Sequence, residues 1–108
     1  DGSQLPAFRT LMQKTQVAYK NRIAEAERYA LQAQRIAPQA TETYLYLALI
    51  ADQRKQYANA EALARRGLSY AQTPAMKKQL WSVILKAGQI QKNQKTIQQA
   101  QTAIKSLS

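Results

Sequence analysis

The chain has 108 residues, with no histidine, no cysteine and 16 Lys plus Arg against 6 Asp plus Glu, a net charge of +10; that is length for a single hydrophobic core. The missing residue types remove the usual general base, the thiolate nucleophile, any disulfide framework and the cysteine type of zinc site, so neither catalysis nor a cofactor is expected. Charge is lopsided, since residues 1–61 hold eight basic and all six acidic side chains whereas residues 62–108 hold eight basic ones and no acid, a pattern suited to an acidic protein, nucleic acid or anionic lipid.

Three glycines and three prolines leave little room for strand punctuation, and the apolar residues recur at helical spacing, which predicts an all-α chain of about six helices. The first helix is expected from near Leu5, with Ser3 or Gln4 before it and Pro6 in its first turn, where a missing N–H costs nothing. Phe8, Leu11 and Met12 begin its inner face, and Asn21 is the expected left-handed residue of the turn that follows. A second helix runs from Arg22 or Ile23 to about Ile36, ahead of Pro38. The third, from about Thr41 to Arg54, contains the run Tyr44 to Ala51, YLYLALIA. That run falls far short of the roughly 20 apolar residues a membrane-spanning helix needs. Its helix-forming flanks argue against a strand, so it belongs to a helix surrounded by protein on several sides. A fourth helix covers Tyr57 to Ser69. Thr73 and Pro74 open a fifth, with Met76, Leu80, Trp81, Ile84, Ala87 and Gly88 inward. A sixth follows Lys92 and Asn93, with Ile97, Ala100, Ile104 and Leu107 on its inner stripe. Among the acids, Glu61 pairs with Arg65 at i,i+4 and Asp52 has Lys55 or Gln56 nearby.

The helix pairs are offset by a fixed length. Ala24, Ala26, Glu27, Ala30 and Ala37 recur 34 positions on as Ala58, Ala60, Glu61, Ala64 and Ala71, and Ala33 gives way to Gly67. Small residues at set points let the second helix of a pair approach the first closely. A 34-residue helix-turn-helix period resembles the tetratricopeptide repeat. The resemblance is carried in the middle unit by Tyr44, Leu47, Ala48, Tyr57, Ala60, Ala64 and Gly67, and in the first by Ala26, Ala33 and Pro38. The third unit fits with three inserted residues, through Trp81, Ile84, Leu85, Ile97 and Ile104, and departs at Gly88 and Gln101. The implied architecture is a single domain of stacked antiparallel hairpins, a short solenoid with units of about 7–40, 41–74 and 75–108.

First helices line the concave side of such a stack. The repeat register therefore nominates Leu45, Leu49, Asp52 and Gln53 with Ser82, Lys86 and Gln89 as partner-binding residues, and Arg65 and Arg66 add a basic face. Leucines stand where some tetratricopeptide domains carry the Lys and Asn of a carboxylate clamp, which points to an apolar groove with a basic rim. The stretch from RIAP at Arg35 through AEALA at Ala60 to the Trp81 helix is further similar to short tetratricopeptide lipoproteins of Gram-negative bacteria. That group includes outer-membrane-anchored activators of class A penicillin-binding proteins. This resemblance implies a periplasmic, monomeric, non-catalytic module that docks on a peptidoglycan synthase, anchored through a lipidated N-terminal Cys that this chain does not contain. A basic adaptor for nucleic acid or another anionic polymer is the alternative, though no nucleic-acid motif supports it.

Overall fold

The computed structural model describes residues 1–108 and contains six helices and no strand: α1 Pro6–Tyr19, α2 Ile23–Ile36, α3 Thr41–Gln53, α4 Tyr57–Leu68, α5 Pro74–Ile90 and α6 Gln94–Ser106. Helix starts follow from local chemistry. The Thr73 side chain accepts a hydrogen bond from the Met76 N–H and the Asn93 side chain from the Thr96 N–H, each cap contributing about 1 kcal/mol. Pro74 and Pro6 occupy first turns. The residue before α1 is Leu5, and no side chain caps that helix; Ser3 and Gln4 lie too far back for the role.

Each hairpin closes through three residues, 20–22, 54–56 and 91–93. In the second and third hairpins the turn is built on a left-handed lysine, Lys55 at φ 60° and Lys92 at φ 57°. There the Gln56 N–H reaches Ala51 O and the Lys55 N–H reaches Asp52 O, while Asn93 and Lys92 repeat the pattern onto Gly88 and Gln89. This is the paired bonding that satisfies the last carbonyls of a helix. The first turn differs, because Asn21 and Arg22 both donate to Ala18 O and Asn21 keeps a negative φ.

Within hairpins α1 packs on α2, α3 on α4 and α5 on α6; between them α2 meets α3, α4 meets α5, and α1, α3 and α5 lie side by side. α3 is thus the shared wall, which accounts for its apolar run: Thr43, Tyr44, Leu45, Leu47, Ala48, Ile50 and Ala51 are buried. A fully buried side chain of the Ile50 type contributes about 1.5–3 kcal/mol. The second helices bring small residues to the contact, Ala26, Ala30 and Ala33 on α2 and Ala60, Ala64 and Gly67 on α4. At Gly67 a methyl group would come within 3.0 Å of both Leu80 Cδ2 and Tyr44 Cβ, and the Gly67 carbonyl accepts from Thr41 Oγ1 at 2.8 Å. The stripe expected on α6 is rotated. Thr96 and Ala100 are its buried residues, whereas Ile97, Ile104 and Leu107 are half-buried. Gly88 is the reason: without a side chain it leaves a notch that the Thr96 methyl fills, 2.9 Å from where a Cβ would stand. No helix is long and apolar enough to cross a membrane.

Candidate functional site

A groove of about 310 Å³ runs between α3 and α5, lined by Leu45, Leu49, Asp52, Gln79, Ser82, Val83 and Lys86. Helical spacing assembles each side. On α5 the residues 79, 82, 83 and 86 form one stripe, and on α3 the residues 45, 49 and 52 form another. Leu45 and Val83 are buried and make the floor, while Leu49 is half-buried and reaches the opening. Ser82 turns its hydroxyl back to the Lys78 carbonyl at 2.8 Å.

The charged feature is Lys86 Nζ, 2.9 Å from Asp52 Oδ2. The hydrogen bond to Asp52 and then its negative charge push the Lys86 ammonium above its ordinary range. Asp52 therefore spans to the next hairpin, and Lys55 is not its partner. Lys55 has left the helix in a left-handed turn and no longer stands on the face of α3 from which a salt bridge of helical spacing could form.

Gln53 falls in the neighbouring furrow between α1 and α3, where its Nε2 donates to the Tyr19 hydroxyl at 3.4 Å. Tyr19 meets Tyr46 edge-on at 6.0 Å. Burial, followed by the nearby Glu42 and Tyr19, raises the Tyr46 phenol above the usual tyrosine value. The same furrow ends in a 2.8 Å ion pair between Arg9 and Glu42. Gln89 is exposed on α5 and does not line the groove. Arg65 and Arg66 lie on α4, away from the groove. Arg65 pairs with Glu61 at 2.9 Å, donates to Gln99 at 2.8 Å and covers the Trp81 ring; Arg66 stacks over Tyr44. The sequence reading missed Gln79 and Val83, although both sit on the stripe that Ser82 and Lys86 define.

Three of these polar links, Tyr19 to Gln53, Asp52 to Lys86 and Arg65 to Gln99, join residues 34 apart. The first joins matching positions of successive units, whereas the other two fall three residues short of a match, because the third unit is displaced by its three inserted residues, as the turn lysines Lys55 and Lys92 show. A wider cleft of about 710 Å³ lies beside the starts of α1, α3 and α5, including Arg9, Glu42, Tyr70 and Thr73. No group of three or more acidic residues is placed to hold a metal ion. No family model matches the chain, and no curated protein or solved structure matches it.

Proposed function

We propose that this chain is a non-catalytic protein-interaction domain of the tetratricopeptide kind whose α3–α5 groove receives a segment of a partner, and that the partner is a class A penicillin-binding protein in the periplasm. The observation that carries the docking surface is the groove itself, with an apolar floor of Leu45 and Val83, the half-buried Leu49 at its opening and the Lys86–Asp52 pair on its edge. The sequence similarity to lipoprotein activators supplies the partner. Docking raises glycan polymerisation by that synthase.

The test measures polymerisation by a purified class A enzyme on its lipid-linked substrate, with and without this chain. Stimulation by the wild type, lost with Leu49→Asp and reduced by Lys86→Glu while far-UV circular dichroism shows both variants folded, is expected. An enzyme indifferent to the wild-type chain, or stimulated fully by every variant, refutes the reading.

A second reading rests on the basic half. Of its eight cations only Arg65 and Lys86 have carboxylate partners, which leaves Arg66, Lys77, Lys78, Lys92, Lys95 and Lys105 for an anionic polymer. Binding of that type weakens with salt at a log-log slope of about −0.9 per neutralised duplex phosphate. A slope near zero on duplex DNA excludes it.

A further inference from the structure

The α3–α5 groove carries a charge arrangement that its role as an apolar slot does not require. At about 310 Å³ it is at the small end of ligand pockets, which run from about 300 to 1,000 Å³, so it takes one or two side chains of a segment. Its floor is apolar, its rim offers Gln79 and Ser82, and its only cation is Lys86. The Asp52 side chain is set into the groove with 16% exposure, and Lys86, at 56%, leans onto it from the solvent side. An ammonium has three N–H donors, and the only hydrogen bond Lys86 makes goes to Asp52. Glu42, the other acid on α3, is already paired with Arg9. The surroundings are basic, since the whole chain carries +10 and residues 62–108 hold no acid. A second copy of this chain is repelled by that charge, and an acidic segment is drawn in.

We infer that Asp52 is a built-in competitor: the groove selects a protein segment that places a branched apolar side chain over Leu45, Leu49 and Val83 and a nearby carboxylate on Lys86, and Asp52 weakens that capture by holding the same ammonium. This rests on the groove being the docking site. Asp52 thereby sets the affinity low and makes it depend on a partner that supplies both features. An apolar segment without the acid gains nothing from Lys86, and an acidic segment without the apolar group meets Asp52 with no compensating burial.

A random 12-residue peptide display library, panned on the wild-type domain, on Asp52→Asn and on Lys86→Gln, tests this, with far-UV circular dichroism confirming that all three are folded. The wild type is expected to enrich peptides that pair Leu, Ile or Val with Asp or Glu at a fixed spacing. Synthetic copies of those peptides should bind Asp52→Asn more tightly, by up to about fivefold, the upper end of what one surface ion pair contributes, and lose most of their affinity for Lys86→Gln. Enrichment without acids, acidic enrichment that survives Lys86→Gln, tighter binding to the wild type than to Asp52→Asn, or no enrichment at all overturns the inference. The synthase assay is scored apart. Stimulation without any Lys86-dependent selection discards the competitor and leaves the docking reading standing, whereas selection without stimulation supports the competitor and discards the enzyme partner.

Discussion

Lys55 and Lys92 hold a conformation that costs a residue with a Cβ about 1–2 kcal/mol, and each does so at the end of a helix that the fold must stop within three residues. Glycine escapes that cost while losing about 0.5–1 kcal/mol of backbone entropy. Lys92→Gly is therefore expected to stabilise the domain by up to about 1 kcal/mol, read as a higher urea midpoint with an unchanged slope. The opposite holds at Gly67, where a new methyl meets Leu80 and Tyr44 at 3.0 Å. Gly67→Ala should cost about 1–3 kcal/mol by overpacking, measured on the same urea curves, and an unchanged midpoint would show that the α3–α4–α5 contact is looser than described. Residue type revealed one of these positions and concealed the other. Gly67 was legible because it replaces Ala33 in the repeat. The left-handed residues were not, since asparagine favours that conformation and lysine does not signal it, yet Asn21 keeps a negative φ where bonds to Ala18 close the turn.

At the scale of the element, α3 shows how burial couples to pH. Tyr46, on the side of α3 that meets Tyr19 of α1, has its phenol pushed up from the ordinary 10.0 by burial first and by Glu42 and Tyr19 next. Because the folded state holds this proton more tightly than the unfolded chain, its contribution is complete below about pH 10 and is lost as pH rises through the higher folded value. Lys86, raised by Asp52, acts in the same direction from its ordinary 10.5. Thermal unfolding followed between pH 8 and pH 11 should show a fall in Tm at the alkaline end that is smaller in Tyr46→Phe. An identical fall in both proteins would remove Tyr46 as a cause. Helix ends were readable from Pro6, Pro38, Pro74 and the turn residues, because those signals are local. The face that α6 turns inward was not. Reading by hydrophobicity selects Ile97 and Ile104, but the notch at Gly88 is shaped by another helix and selects Thr96.

For the whole molecule the governing fact is a charge of +10 set against five ion pairs. Self-repulsion outweighs surface pairs that contribute about 0–1 kcal/mol each. Raising ionic strength from about 0.01 M to about 0.15 M shortens the screening length from about 30 Å to about 8 Å. Tm should therefore rise with salt, and a fall would mean that the pairs dominate. The site was legible where one helix decides it. Leu45, Leu49 and Asp52 share a face of α3, and Ser82 and Lys86 share a face of α5, so periodicity places each set. Periodicity does not say which neighbour stands opposite. Gln53 accordingly meets Tyr19 in the next furrow, Gln89 lies outside the groove, and Arg65 and Arg66 lie along α4.

The link from Tyr19 to Gln53 joins positions 34 residues apart that match between the first two units, and this has a bearing on inheritance. A copying error that gains or drops one such length within the evenly spaced part of the chain puts matching positions opposite each other again and keeps the stacking intact. An insertion inside a helix that is not close to a whole number of turns rotates the later side chains of that helix about its axis and away from their counterparts. The chain is thus built to change its reach in whole steps, with the groove count as the trait that selection can alter.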